Sequence, residues 1–218
     1  MRRAPTRLIV TLIAAAASGV AVAVPLPARA AQTLPAGAVE WLSREHEPFR
    51  RYLAVVLRAV HDYRYQYTPP GMLMPVILDV FRGYLARVHA VEEHAIYPMV
   101  EPRMSAQQLR QLALIIHDAR EESVAIQDCQ RALDESGGRP TDAVISYLER
   151  LGYLVKRHLV FHEKHVMPML ETLPAEVQAE GLAKLAAAEP ELARARTRYL
   201  AWLSYIEREL TAISGRVW

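Results

Sequence analysis

Residues 141–171 read TDAVISYLERLGYLVKRHLVFHEKHVMPMLE. Within them Val144, Leu148, Leu151, Val155, His158, His162, His165 and Met169 recur at alternating steps of four and three. That rhythm is the stripe of a helix turned toward a bundle core. The first half of the stripe is aliphatic and the second half is imidazole, so one end of the core is polar. Thr141, just after Pro140, starts this helix, and Pro168 marks its end.

The same rhythm appears upstream. Leu42, His46, Phe49, Leu53, Val56 and Val60 form a seam in a helix spanning roughly 39–63, with Pro48 in its first turns, where a proline does least damage. Tyr67-Thr68-Pro69-Pro70-Gly71 is a break. A second helix runs from about Leu73 to Val100 and is closed by Pro98 and Pro102. A third begins at Ser105, where Gln108 completes a capping box, and stops near Gly137-Gly138. After Leu170 the pattern predicts two more helices, about 175–188 and 191–213, separated by Pro190. They carry no evident chemistry. They suit packing on the outside of the bundle or a homodimer contact.

No run reads as a strand. The expected fold is all-α, an antiparallel up-down-up-down four-helix bundle with extra C-terminal helices, because short connections make neighbouring helices antiparallel. An internal repeat supports two similar hairpins. Residues 92–101, EEHAIYPMVE, align with 162–171, HEKHVMPMLE, and both Glu93 and Glu163 stand five residues before a proline.

The first thirty residues stand apart. Arg2, Arg3 and Arg7 precede an uncharged apolar run from Leu8 to Val24, and Ala28 and Ala30 offer small residues for a cut after Ala30. This is the layout of a cleaved secretory signal peptide, and the expected location is periplasmic. Arg2-Arg3 resembles the start of a twin-arginine signal, but the residues after the pair do not follow that pattern. The expected organisation is a signal peptide at 1–30, a linker at 31–38, the bundle at 39–171 and a helical extension at 172–218.

Cleavage would remove four arginines and no acid, leaving 22 of the 26 Lys and Arg against 24 Asp and Glu, a net charge of −2. That balance argues against a nucleic-acid partner. With Cys129 the only cysteine, no internal disulfide is available to an exported chain.

Histidine placement carries the functional signal. In an antiparallel bundle His46, His89, His117 and His158 fall at a similar depth near one end, one per helix. His89 and Glu93, His117 and Glu121, and His158 and His162 are each four residues apart, so each pair stacks about 6 Å apart on one helix face. Glu163 follows His158 by five and can reach partly round the helix. Neutral imidazoles with a few carboxylates suit Fe, Zn or Mn. Left unpaired in a core, such groups would cost several kcal/mol together. His61, His94 and His165 lie off the cluster.

These residues resemble the hemerythrin-like family of HHE cation-binding domains. The likeness runs from about Val39 to Leu170 and rests on Leu42-Ser43-Arg44-Glu45-His46-Glu47-Pro48-Phe49, on His89 through Pro98, on His117-Asp118-Ala119-Arg120-Glu121 and on His158 through Pro168. It implies a non-haem di-iron centre bridged by carboxylates, with His46, His89, Glu93, His117 and His158 at ligand positions and Glu163 at an acidic bridging position. Three departures stand out. Glu121 replaces a second histidine of the oxygen carriers, and His162 stands where many HHE domains have Glu. His89 sits one residue closer to its proline than is common, which leaves Glu92 and Glu93 both open.

The implied function is binding or sensing of oxygen, nitric oxide or iron at a di-iron site, with a small diatomic molecule or peroxide as partner. Alternatives are a di-iron enzyme acting on peroxide or nitrogen oxides, and a mononuclear zinc-type protein. A ferritin-like oxidase is disfavoured because no Glu-x-x-His occurs in the chain.

Overall fold

The computed structural model describes residues 37–65 and 73–214. The leader, most of the linker and the break at 67–71 lie outside the described residues. Every regular element among the described residues is helical.

Helix α1 is Ala38–Arg64 and carries Pro48 within it. Helix α2 covers 73–100 and is not uniform. α-Helical runs Leu73–Val80, Ala86–Val91 and Tyr97–Val100 are joined by π-helical turns at Phe81–Leu85 and Glu92–Ile96. Helix α3 is Ala106–Glu135. Ser105 caps it in the expected capping box, its side chain taking the Gln108 N–H while the Gln108 side chain accepts from the Ser105 N–H. Its end is closed by Gly137 and Gly138 at φ of 65° and 80°, a left-handed backbone that favours glycine. Helix α4 covers 142–171, as Asp142–Phe161, a π-turn at His162–Val166, and Met167–Glu171. Thr141 caps it by accepting the Val144 N–H.

Specific contacts tie these helices together. Cys129 Sγ lies 3.8 Å from the Val144 carbonyl oxygen and Arg157 pairs with Asp118, joining α3 to α4. Arg50 and Glu163 join α1 to α4 at 2.8 Å. Tyr52 and Phe81 meet ring to ring between α1 and α2. The core they enclose is almost wholly aliphatic and aromatic, from Leu42, Phe49 and Val56 to Leu148, Leu151 and Val155.

The C-terminal segment differs from expectation. It forms one helix, α5 (Ala175–Ser214), running straight through Pro190. The proline removes one N–H and crowds the preceding turn, a cost of about 3 kcal/mol in isolation. Packing outweighs it. Leu185, Glu189, Leu192, Arg196, Tyr199, Leu203, Ile206 and Leu210 are all buried, and they step by four and three across the proline without a break. This seam lies against α1 and α2.

Part of that seam is ionic. Glu45 of α1 is fully buried beside its neighbour His46. Its carboxylate accepts hydrogen bonds from Arg196 Nε (3.1 Å), Arg44 Nε (3.0 Å) and Tyr84 Oη (2.5 Å). Arg196 and Arg44 also donate to Glu189, at 3.1 and 2.6 Å. Nearer the C-terminus, Arg51 of α1 holds Glu207 at 2.7 Å and Ser204 at 2.8 Å.

The approach of α5 to α2 is close enough to require glycine. A Cβ on Gly83, in the first π-turn, would lie 1.8 Å from Tyr199 Oη. Gly83→Ala is expected to lower the urea midpoint, because overpacking costs about 1–3 kcal/mol while alanine's helix preference returns about 1 kcal/mol. A raised midpoint would contradict this seating of α5.

Candidate metal centre

Four helices deliver six ionisable side chains to one buried point: His46 from α1, His89 and Glu92 from α2, Glu122 from α3, and His158 and His162 from α4. None is more than 8% exposed.

Local backbone geometry sets which residues arrive. The π-turn in α2 opens at Glu92, whose carbonyl accepts the Tyr97 N–H. The π-turn in α4 opens at His162, whose carbonyl accepts the Met167 N–H. Each turn is followed by a proline, Pro98 or Pro168, at the start of the next α-helical run. The internal repeat of the sequence is therefore a repeated π-turn. Such turns place one extra residue in the helix and occur often at functional sites.

Glu92 sits at the centre. Its Oε1 lies 3.0 Å from His46 Nε2 and 3.8 Å from His162 Nδ1, and its Oε2 lies 3.4 Å from His158 Nε2. One ligand atom from each of His46, Glu92, His158 and His162 falls within 4.8 Å of all the others. His89 and Glu122 extend this group. His89 Nδ1 is 3.3 Å from Glu122 Oε2, and the His89 and His158 rings are 4.5 Å apart. Phe49 stacks on His158 with ring centroids 5.3 Å apart and also touches His46 and His89, closing the site with an apolar wall.

Apart from the His46–Glu92 hydrogen bond, most of the donor atoms are left without partners. Among the described residues, His46 Nδ1, His89 Nε2, His158 Nε2, His162 Nδ1, Glu92 Oε2 and both Glu122 oxygens are buried and make no hydrogen bond. Buried polar atoms are normally paired, so several orphans converging on one point call for a cation. Imidazole nitrogens and carboxylate oxygens are the donor set of Fe, Zn and Mn, and the residues fit such an ion.

The electrostatics agree. Burial drives the His89 imidazolium pKa down to about 3, helped by the neighbouring His158 and His46. Burial likewise lowers His46 and His162. These rings therefore stay neutral and keep a lone pair. Burial alone would raise the Glu92 carboxyl, but the imidazoles of His158, His162 and His46 that face it outweigh burial and hold Glu92 well below the usual carboxylate range. Glu122 moves the other way, raised by burial and by the charges of Asp118 and Glu92.

This arrangement predicts acid sensitivity in the metal-free protein. The three depressed histidines bind protons in the unfolded chain near pH 6.5 but not in the folded one until much lower pH, so their contribution is present above about 6.5 and lost on acidification. Glu92 acts in the same direction at lower pH. Glu122 opposes, favouring the folded state as pH falls, but it is one group against three. Urea midpoints of metal-free protein should fall between pH 7.5 and 5; a flat or rising profile would contradict this.

The structure brings His46, His89, His158 and His162 together, as expected from the seams of α1 and α4 and from the depth of His89. It does not bring in Glu93, His117, Glu121 or Glu163. Glu93 and His117 are exposed. Glu121 faces outward to Arg150, and Glu163 pairs with Arg50 at the surface. Glu92, which the proline spacing left open beside Glu93, stands inside, and so does Glu122, one residue away from the expected Glu121. The reason is azimuth rather than depth. In α2 the buried stripe Phe81, Leu85, Val88 continues by four onto Glu92, not Glu93. In α3 Leu112, Ile115, Ile126, Cys129 and Leu133 are buried, and steps of three and four between them pass through Asp118 and Glu122, leaving His117 and Glu121 one residue off. The aliphatic seam of each helix was the signal that could have found both glutamates. In α4 His162 follows His158 by one α-helical turn, its N–H on the His158 carbonyl, and stays inward, while Glu163 is exposed.

A family model, the hemerythrin HHE cation binding domain, matches residues 37–170. The chain belongs to the hemerythrin HHE family. The match covers α1 to α4 of this hemerythrin-like chain and ends before α5. No curated protein and no solved structure matches it. Among the described residues no helix is long and apolar enough to cross a membrane.

Proposed function

We propose that this hemerythrin-like chain is an exported protein whose four matched helices form an up-down-up-down bundle around two metal ions, iron foremost. The observation that carries the reading is six buried ionisable side chains gathered together, with nitrogen and oxygen atoms of His89, Glu92, Glu122, His158 and His162 that make no hydrogen bond. His46, Glu92, His158 and His162 would hold one ion. His89 and Glu122, with His158 facing them, would hold the second. The family supports iron, and bound iron would supply a redox-active Lewis acid. The chain's own part is to present neutral imidazoles, to keep Glu92 charged and to exclude water with Phe49. A small ligand such as oxygen, nitric oxide or peroxide suits so closed a site, and binding or sensing is the primary reading.

One observation favours a second reading with a single ion. Among the described residues, four ligand atoms, one each from His46, Glu92, His158 and His162, lie within 4.8 Å of one another. Anaerobic Fe(II) loading of the leader-free protein, followed by metal counting and spectra on adding oxygen, nitric oxide or peroxide, separates the cases. Two irons and a spectrum reversed by degassing support the primary reading. One ion supports the second, and catalytic loss of peroxide would make the protein an enzyme. No uptake of iron, zinc or manganese would overturn all three.

A further inference from the structure

Tyr97 lies just beyond the metal cluster and is 4% exposed. Its Oη is 3.0 Å from His162 Nε2, and its ring meets the imidazole edge to face at 5.5 Å between centroids. The π-turn at Glu92–Ile96 delivers it, since Tyr97 supplies the N–H that closes that turn on Glu92. One turn of backbone thus places both the central carboxylate and the phenol.

The phenol occupies one of the two nitrogens of His162. The other, Nδ1, has no hydrogen-bond partner and faces Glu92 Oε1 at 3.8 Å. His46 and His158 approach the same carboxylate through Nε2, at 3.0 and 3.4 Å. His162 is therefore turned the opposite way from the two imidazoles beside it. A ring nitrogen that meets a cation carries no proton, so the proton of a neutral His162 must sit on Nε2, where the Tyr97 oxygen accepts it. The partner of the second ring nitrogen sets which nitrogen is free to ligate.

We propose that Tyr97 is a positioning residue that fixes the His162 tautomer, so that His162 meets the metal through Nδ1 while His46 and His158 meet it through Nε2. The inference rests on the metal-binding reading. Tyr97 does not touch the ion; it acts through His162. The α4 repeat offers no equivalent, because the position matching Tyr97 is Met167. The asymmetry between the two halves of the bundle is thus chemical as well as structural.

Zinc is a suitable probe because it is diamagnetic. Nitrogen-15 spectra of histidine-labelled, Zn(II)-loaded wild-type protein should show His162 bound at Nδ1 and protonated at Nε2, with the Nε2 proton slow to exchange. In Tyr97→Phe that proton should exchange faster and Zn(II) affinity should fall about 10–100-fold, the range for losing a partner of a ligating histidine. Zinc bound through His162 Nε2 in the wild type overturns the proposal and leaves the metal reading intact. So does a Tyr97→Phe protein with unchanged affinity and exchange. No zinc uptake by the wild type overturns both. The wild-type spectrum decides the tautomer by itself, so a poorly folding variant does not block the test.

Discussion

Glu92→Gln is expected to weaken metal binding by more than about 100-fold, whereas Glu93→Gln leaves it unchanged. The figure exceeds the loss typical of a group that merely supports a ligand, because Glu92 meets three imidazoles itself, at 3.0, 3.4 and 3.8 Å. The amide keeps the shape but removes the charge, and it points donor hydrogens at the site. Glu93 is exposed and shares nothing with the cluster. Glu122→Gln and Glu121→Gln form the parallel pair on α3, with Glu122→Gln reducing the metal count toward one. Competition titration with a chromophoric chelator, with metal counting, checks all four variants. Equal losses from Glu92→Gln and Glu93→Gln would mean that the azimuth of α2 is wrong.

Arg196→Met should destabilise the fold by about 3–5 kcal/mol, the usual cost of removing one partner of a buried ion pair. At 2–4 °C per kcal/mol for a domain this size, the melting temperature should drop by roughly 6–20 °C. Arg196 and Glu45 are 6% and 0% exposed at their side chains, so solvent screens little of the loss. Glu45 and Glu189 would then share Arg44 alone. The variant also tests whether α5, which lies beyond the family match, is integral to the domain. Arg64→Met, at an exposed pair with Glu149, should change stability by no more than about 1 kcal/mol. A similar small change for Arg196→Met would show that α5 is not seated on α1.

The parts legible in the sequence were those that depend on a single helix. The four-and-three stripe from Val144 to Met169 marks α4, and the same stripe places His46, His158 and His162 on core-facing sides. Ser105 and Gln108 announce the start of α3, and the capping box is there. Legibility failed where a local rule competed with a longer pattern. The pairs His89–Glu93 and His117–Glu121 follow the i to i+4 rule, but burial is decided by the whole seam, which selects Glu92 and Glu122. The π-turns at Glu92 and His162 reinforce that choice, and proline spacing alone does not announce a π-turn. Pro190 reads as a break because its cost is local, whereas the eight-residue seam that carries α5 through it spans 26 residues, Leu185 to Leu210. The phenol of Tyr97 was invisible because its target lies 65 residues away.

On the proposed reading His46, His89, Glu92, Glu122, His158 and His162 enclose two metal ions. Crystals of the Fe(II)-loaded protein measured at the iron absorption edge test it directly. Two anomalous peaks are expected, one among His46, Glu92, His158 and His162 and the other beside His89 and Glu122. Peaks outside these six residues, or iron on the exposed His117 and the half-buried Glu121, would contradict it.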